Sequence, residues 1–244
     1  MVHKTATLLT AVKNVLPMTT TDDKTIVQSY FNSVGFDRWR RIYGDGEVNK
    51  VQLDIRNGHQ KTVDTVLYWV KTDGNAKDLS ICDAGCGVGS LSIPLAAMGA
   101  QVDASDISTK MVEEAQSIST QQLGQSTNPQ FTVQDLEALS GEYHTVVCLD
   151  VLIHYPQEKA DAMIKHLGSL ATHRLILSFA PQNGFYTLLK KIGDLFPGPS
   201  KATRAYLHKE SDVVKILQAQ GWRIERKEFT ATQFYFSRLL EAKR

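Results

Sequence analysis

From residue 79 onward, short apolar runs alternate with stretches in which apolar residues recur every three or four positions. Residues 79–82, 101–105, 131–133, 145–149 and 174–179 read as strands. Helical spacing follows at Leu91, Ile93, Leu95 and Ala96, again at Met111, Val112 and Ala115, then over residues 157–170 and 209–220. Ser108 is placed to cap the second of these helices and Gly221 to stop the last. Residues 145–149, Thr-Val-Val-Cys-Leu, are almost wholly apolar, which indicates a strand buried on both faces of a parallel sheet. Two further strands, 222–229 and 233–240, joined by Thr230, Ala231 and Thr232, close the chain as a hairpin. The pattern predicts an α/β protein whose doubly wound sheet has seven strands, one of them antiparallel.

Before the first strand the pattern is helical. Val27, Tyr30, Phe31 and Val34 form one stripe, with Gly35 placed as its stop. A second helix spans about 59–70, where Val63, Val66, Leu67 and Val70 share a face. Between them, residues 36–47 set Trp39, Ile42 and Tyr43 beside Arg38, Arg40 and Arg41, and end in Gly44, Asp45 and Gly46. This stretch reads either as a connecting helix with a solvated basic face or as a hinged lid over a ligand. Residues 181–204, apolar and broken by glycine and proline, are longer than a connection needs. The expected division is a targeting, vector-derived or disordered segment over 1–21, a helical arm over 22–75 and a domain over 76–244 with an insertion at 181–206.

The candidate chemistry begins in the turn after the first strand. Asp83 is followed by Gly85, Gly87 and Gly89, and a helix then starts. Glycine permits positive φ and lets a ligand approach the main chain. A dinucleotide site would need G-x-G-x-x-G, but Ser90 stands where its third glycine belongs. A carboxylate before the first glycine favours a ligand carrying a cation, an ammonium or sulfonium, over a pyrophosphate. Asp106 ends the second strand 23 residues later, where it can accept from ribose hydroxyls.

Together with Asp135-Leu136 after the third strand and Leu149 at the end of the fourth, these residues resemble the motifs of class I S-adenosylmethionine-dependent methyltransferases. The resemblance implies an α/β doubly wound, Rossmann-like seven-stranded sheet with one antiparallel strand. It implies that Asp83, Gly85, Gly87 and Gly89 lie under the methionine end of the cofactor. Asp106 would hold the ribose, Ile107 and Met111 the adenine face, and Asp135 and the Leu136 N–H the adenine edge. The Leu149 carbonyl would take the ammonium, and Tyr30 and Trp39 on the arm would add contacts.

A narrower likeness covers the arm. Residues 29–64 are similar to the leader of the magnesium-protoporphyrin IX methyltransferases of chlorophyll synthesis, as are DAGCGVGSLSIPLA at 83–96 and DVLIHYP at 150–156. It implies methyl transfer to a propionate of magnesium protoporphyrin IX, with His154 and Tyr43 orienting the reacting carboxylate. Arg38, Arg41, Lys190 and Arg204 are candidates to hold the second propionate. Phe36, Trp39, Phe185, Tyr186 and Phe196 would cover the ring. The upstream magnesium-chelatase machinery is an implied partner, and a cytoplasmic or stromal location, peripheral to photosynthetic membranes, the implied setting.

Bulk properties narrow this little. Net charge is +1 with 42% hydrophobic residues, so nothing argues for a nucleic-acid partner. No apolar run approaches the ~20 residues that span a bilayer. Of the three cysteines, Cys82 and Cys148 sit in apolar runs and Cys86 in the glycine turn, which fits buried thiols in a reducing compartment rather than a disulfide framework or zinc site. No spacing suggests a metal cage. The competing functions are methyl transfer to a quinone or another small-molecule oxygen or nitrogen, and a non-catalytic porphyrin-binding module.

Overall fold

The computed structural model describes residues 23–44, 46–77, 79–182 and 206–244. Three helices, α1 (Asp23–Phe31), α2 (Val34–Tyr43) and α3 (Lys50–Thr72), precede the sheet. The rest alternates: β1 (Ser80–Ala84), α4 (Ser92–Ala97), β2 (Gln101–Asp106), α5 (Thr109–Leu123), β3 (Gln130–Val133), β4 (Tyr143–Cys148), α6 (Gln157–Leu170), β5 (Ala171–Phe179), α7 (Glu210–Ala219), β6 (Arg223–Ala231) and β7 (Phe236–Lys243). The seven strands lie in the order β3-β2-β1-β4-β5-β7-β6. Among the described strands only β7 runs antiparallel to its neighbours β5 and β6.

Both faces of the central strands are covered, which is why their sequences read as continuous apolar runs. Cys82, Val146, Leu175 and Leu240 point to one side, against Met163, Ile164 and Leu167 of α6 and Val213 and Leu217 of α7. Ile81, Val147, Ile176 and Leu239 point to the other, against Val63, Val66 and Trp69 of α3 and Leu95 of α4. Each such side chain contributes about 1.5–3 kcal/mol by leaving water. Strand order reverses between β1 and β4, so the crevice beyond their carboxyl ends is where a ligand is received.

Three expectations change. Gly35 does not stop a helix; α1 ends at Phe31 and Gly35 lies in the first turn of α2. A Cβ there would stand 2.5 Å from Cε1 of Tyr30, so the glycine serves close packing rather than a cap. The second helix begins at Lys50, not near 59, behind a capping box in which Asn49 and Gln52 bond each other's backbone N–H. Its first turns leave Val51 and Leu53 exposed, so the apolar period marks only the part that meets the sheet. The hairpin is shifted: β6 extends through Ala231 and β7 starts at Phe236. Asp54 of α3 holds the intervening turn, accepting from the Thr232 hydroxyl and the Phe234 N–H at 2.7 Å each.

Candidate active site

A cavity of about 420 Å³ opens at the carboxyl ends of β1, β2 and β4. Its floor is the glycine turn. The N–H groups of Gly85 and Cys86 both donate to the Ser105 carbonyl at 2.8 Å, which pins the turn to β2. Gly85, Gly87 and Gly89 have φ of +87°, +55° and +84°, the left-handed region that side chains resist. A Cβ on Gly85 would lie 2.2 Å from Cγ2 of Val151, whereas one on Gly87 would meet nothing nearer than Tyr43 at 4.0 Å. Gly87 is therefore where a ligand can rest against bare backbone.

Carboxylates surround this floor. Asp106 accepts from the Gly87 N–H at 3.0 Å through Oδ2 and from the Ser108 N–H at 2.8 Å through Oδ1. Burial raises its pKa, and the N–H bonds from Ser108, Gly87 and Ile107 act against that rise. Asp83 lies beneath the turn, 2% exposed, and accepts from the Ser92 hydroxyl. Burial pushes it up to about 6. A concave site with acids and bare glycine suits a ligand that brings its own positive charge.

The facing wall comes from the arm and the segment after β4. Trp39 and Tyr43, one turn apart on α2, stack with centroids 5.4 Å apart, and the Trp39 indole N–H donates to the Tyr30 hydroxyl at 3.3 Å. Tyr30 thus backs the wall without lining the cavity. Burial, then Asp150 and Asp106, push the Tyr43 phenol well above its usual pKa, so it stays a neutral donor. His154 sits on the short turn Leu152–His154, edge-on to Phe31 at 5.3 Å. Its Nδ1 is buried without a hydrogen-bond partner. Burial lowers its pKa to about 4, against a smaller opposing pull from Asp150, so the imidazole is neutral near pH 7.

One cluster escaped the sequence reading. Asp150 follows β4 with φ +57° and accepts from His59 Nδ1 at 2.8 Å. It also accepts from the Tyr235 hydroxyl, at 3.0 and 2.9 Å to its two oxygens, and from the Ser178 hydroxyl at 3.0 Å. Burial would raise its pKa, but the His59 and Tyr235 bonds outweigh that and hold it below the usual carboxylate range. His59 is on α3, and Tyr235 reaches the site because α3 carries Gly58, where a Cβ would lie 2.4 Å from the Tyr235 ring. No local motif links positions 59, 150 and 235. The only signals were an acid ending a buried strand and a glycine inside a helix.

The remaining candidates divide by position. Ile107, Met111, Leu136 and Leu149 line the cavity with Gly85, Gly87, Asp106, Trp39, Tyr43 and His154. Asp135 stands outside the lining, paired with Lys24 of α1 and accepting from the Glu137 N–H. Asp83 lies under the floor and Gly89 against Ile93. Arg41 is exposed, its Nε donating to the Asp37 carbonyl at 3.0 Å, and neither it nor Arg38 lines the cavity. Lys190, Phe185, Tyr186, Phe196 and Arg204 fall outside the described residues, as do residues 1–22 and Asp45. The two ends of the insertion are pinned together beside the cavity. The Gln182 N–H donates to the His208 carbonyl at 2.7 Å and the His208 N–H to the Ala180 carbonyl at 2.9 Å.

Known proteins are similar to this chain. Residues 148–244 match a family described as the C-terminus of magnesium-protoporphyrin IX methyltransferase, and residues 81–172 match a general methyltransferase domain. A magnesium-protoporphyrin O-methyltransferase from Synechocystis is 65% identical over 91% of this chain and 97% of its own length. The chloroplastic magnesium protoporphyrin IX methyltransferase of Arabidopsis thaliana is 60% identical over 90% of this chain and 71% of its own. The crystal structure of the Synechocystis magnesium protoporphyrin IX methyltransferase with bound SAH superposes with a TM-score of 0.85 at 63% identity, covering 91% of this chain and 99% of that one. The likeness spans about nine-tenths of the chain, and the chain belongs to the magnesium-protoporphyrin IX methyltransferase family.

Proposed function

We propose that this protein methylates one propionate of magnesium protoporphyrin IX, giving the monomethyl ester and S-adenosylhomocysteine. The observation that carries this reading is that near-full-length identity to such enzymes coincides with a cavity whose acids and bare Gly87 backbone fit a sulfonium cofactor. S-adenosylmethionine, when bound, supplies a methyl group on positively charged sulfur.

The chain's own residues do the rest. Asp106 keeps lone pairs for ribose hydroxyls, because the Gly87 and Ser108 N–H groups occupy only one site on each oxygen. Ile107 and Met111 offer an apolar face to a purine, the Leu136 N–H an edge donor, and the Leu149 carbonyl an acceptor for an ammonium. Asp135 would share its carboxylate between Lys24 and an adenine amino group. Asp83 holds negative charge beneath the turn.

The acceptor chemistry also fits. A propionate, with a pKa near ~4.3, is already ionised at neutral pH, so alignment and exclusion of water suffice. A phenol acceptor, with a pKa near ~10, would need a base, and an imidazole held to about 4 is a poor one. Tyr43 and neutral His154 would orient the carboxylate. The apolar walls of α2 and the ends of the insertion would cover the macrocycle.

Receipt of the porphyrin from magnesium-chelatase and peripheral contact with a photosynthetic membrane belong to the same reading, motivated by the poor solubility of the ring. No helix among the described residues is long and apolar enough to cross a membrane. The deciding assay mixes the protein with labelled S-adenosylmethionine and either magnesium protoporphyrin IX or a polyphenol. Label should enter the porphyrin ester; label in the polyphenol alone would favour a quinone-type enzyme, and binding without transfer a carrier.

A further inference from the structure

The cavity holds an unusual balance of charge for an enzyme whose acceptor is an anion. Among the described residues that line it there is no lysine and no arginine, while Asp106 and Asp150 both do. The groups there able to carry positive charge are the imidazoles of His154 and His59. His154 is unsuited, since its Nδ1 is buried with no counter-charge bonded to it and burial keeps the ring neutral.

His59 is differently placed. Its Nδ1 is 2.8 Å from Asp150 Oδ2, and Asp150 is itself fixed by the Tyr235 and Ser178 hydroxyls. An ionised carboxylate can only accept, so Nδ1 carries a proton and the tautomer is set. The ring lies against Tyr43 with centroids 4.4 Å apart, which locks its orientation from the α2 side. No described residue takes its Nε2. The other ionisable groups around it are Asp83 below the turn and the Tyr43 and Tyr235 phenols, both kept neutral chiefly by burial.

We propose that His59, its Nδ1 held by Asp150, meets the acceptor carboxyl group through Nε2, the two sharing one proton, and docks it at the mouth of the glycine turn. The proposal rests on the porphyrin reading above. It gives the pair a role that neither a packing histidine nor a structural ion pair would have: His59 offers an entering propionate a ring nitrogen that no described residue takes, and Asp150 keeps that nitrogen oriented. Tyr43, which the His59 ring touches, and His154, which lines the same cavity, then complete the set of polar groups around the same carboxyl.

The test compares two ligands that differ only at the reacting group. Magnesium protoporphyrin IX and its monomethyl ester product are titrated by fluorescence quenching against protein saturated with S-adenosylhomocysteine, so that no turnover occurs. The wild-type protein should prefer the free acid by about tenfold, as a charge-assisted hydrogen bond predicts. In His59→Phe the preference should fall to about twofold or less, with His59→Gln in between and S-adenosylhomocysteine affinity unchanged in both. If both porphyrins weaken in parallel, or the preference survives, His59 only shapes the wall and the proposal is wrong. A wild-type protein that binds neither porphyrin overturns the substrate assignment, and this inference with it.

Discussion

The backbone N–H of Gly87 donates to Oδ2 of Asp106 at 3.0 Å, tying the turn after β1 to the end of β2. One carboxylate thus shapes the floor of the cavity and faces the ligand. In Asp106→Ala the Gly87 and Ser108 N–H groups lose their acceptor together, and the proposed ribose contact goes with them. S-adenosylhomocysteine affinity should fall at least tenfold by calorimetry. Asp106→Asn keeps one acceptor oxygen and should lose less. Equal affinity in the alanine variant and the wild type would show that the ribose is held elsewhere.

Two glycines of the same turn should fail in different ways. In Gly85→Ala, the methyl would enter at 2.2 Å from Val151 Cγ2, with φ at +87°. Overpacking and backbone strain together should cost about 2–4 kcal/mol in urea denaturation. Gly87→Ala carries the left-handed penalty of about 1 kcal/mol but no clash, since its nearest neighbour is 4.0 Å away. Its methyl would enter the space proposed for the cofactor. The expected pattern is a small stability loss with a large loss of S-adenosylhomocysteine binding, the reverse of Gly85→Ala.

How far the sequence foretold this site depends on how local each signal was. The glycine turn, Asp106 and the buried run ending at Leu149 were legible because strand, turn and helix follow one another within a few residues. His59, Asp150 and Tyr235 were not, because they meet only once α3, β4 and the β6–β7 turn are packed together. The fold shows the same division. Apolar periodicity located every strand among the described residues, but placed the start of α3 some nine residues late because its first turns are held by polar contacts such as those of Asp54. Gly35 and Gly58 illustrate the limit well. A helix glycine looks like a stop or a defect until the aromatic ring that needs its space is known.

The lowered pKa of His154 makes a prediction about both acid stability and turnover. The unfolded ring takes its proton near 6.5 and the folded one only near 4. Between these values the unfolded chain binds more protons, so the stability associated with His154 rises with pH and is lost as pH falls from 6.5 toward 4. Asp83 works oppositely: raised to about 6, it favours the folded state as pH falls below that value. Comparing the wild type with His154→Phe removes the Asp83 contribution. The wild type should lose about 1–2 kcal/mol relative to the variant between pH 6.5 and 4.5, allowing for solvent at the cavity wall. Turnover should drop at least tenfold in His154→Phe and in Tyr43→Phe, each with near-normal cofactor affinity. Parallel denaturation curves at the two pH values would remove the burial argument, and undiminished turnover in both variants their role at the carboxylate.

Arg56 of α3 holds the end of α2 in place. Its Nε donates to the Ile42 carbonyl at 2.8 Å, and its Nη2 to the Arg41 and Gly46 carbonyls at 2.6 and 2.8 Å. The Arg41 and Ile42 carbonyls are acceptors at the end of α2, where a cation also suits the dipole, and Gly46 lies in the link to α3. The segment expected to hinge at Gly44 and Gly46 is therefore clamped from the neighbouring helix, one turn from the Tyr43 and Trp39 wall. Removing the clamp in Arg56→Ala should cost about 1–3 kcal/mol locally. The loss should appear as faster amide exchange over residues 34–46 with little change at β1 and β4. Because the proposal puts Tyr43 on the acceptor wall and the cofactor floor on other elements, KM for the porphyrin should rise several-fold while S-adenosylhomocysteine affinity stays within about twofold. Arg56→Lys, a single point charge in place of a planar fork, should recover only part of the difference. Should KM and cofactor affinity move together instead, α2 would be a structural strut shared by the whole site, not a wall specific to the acceptor.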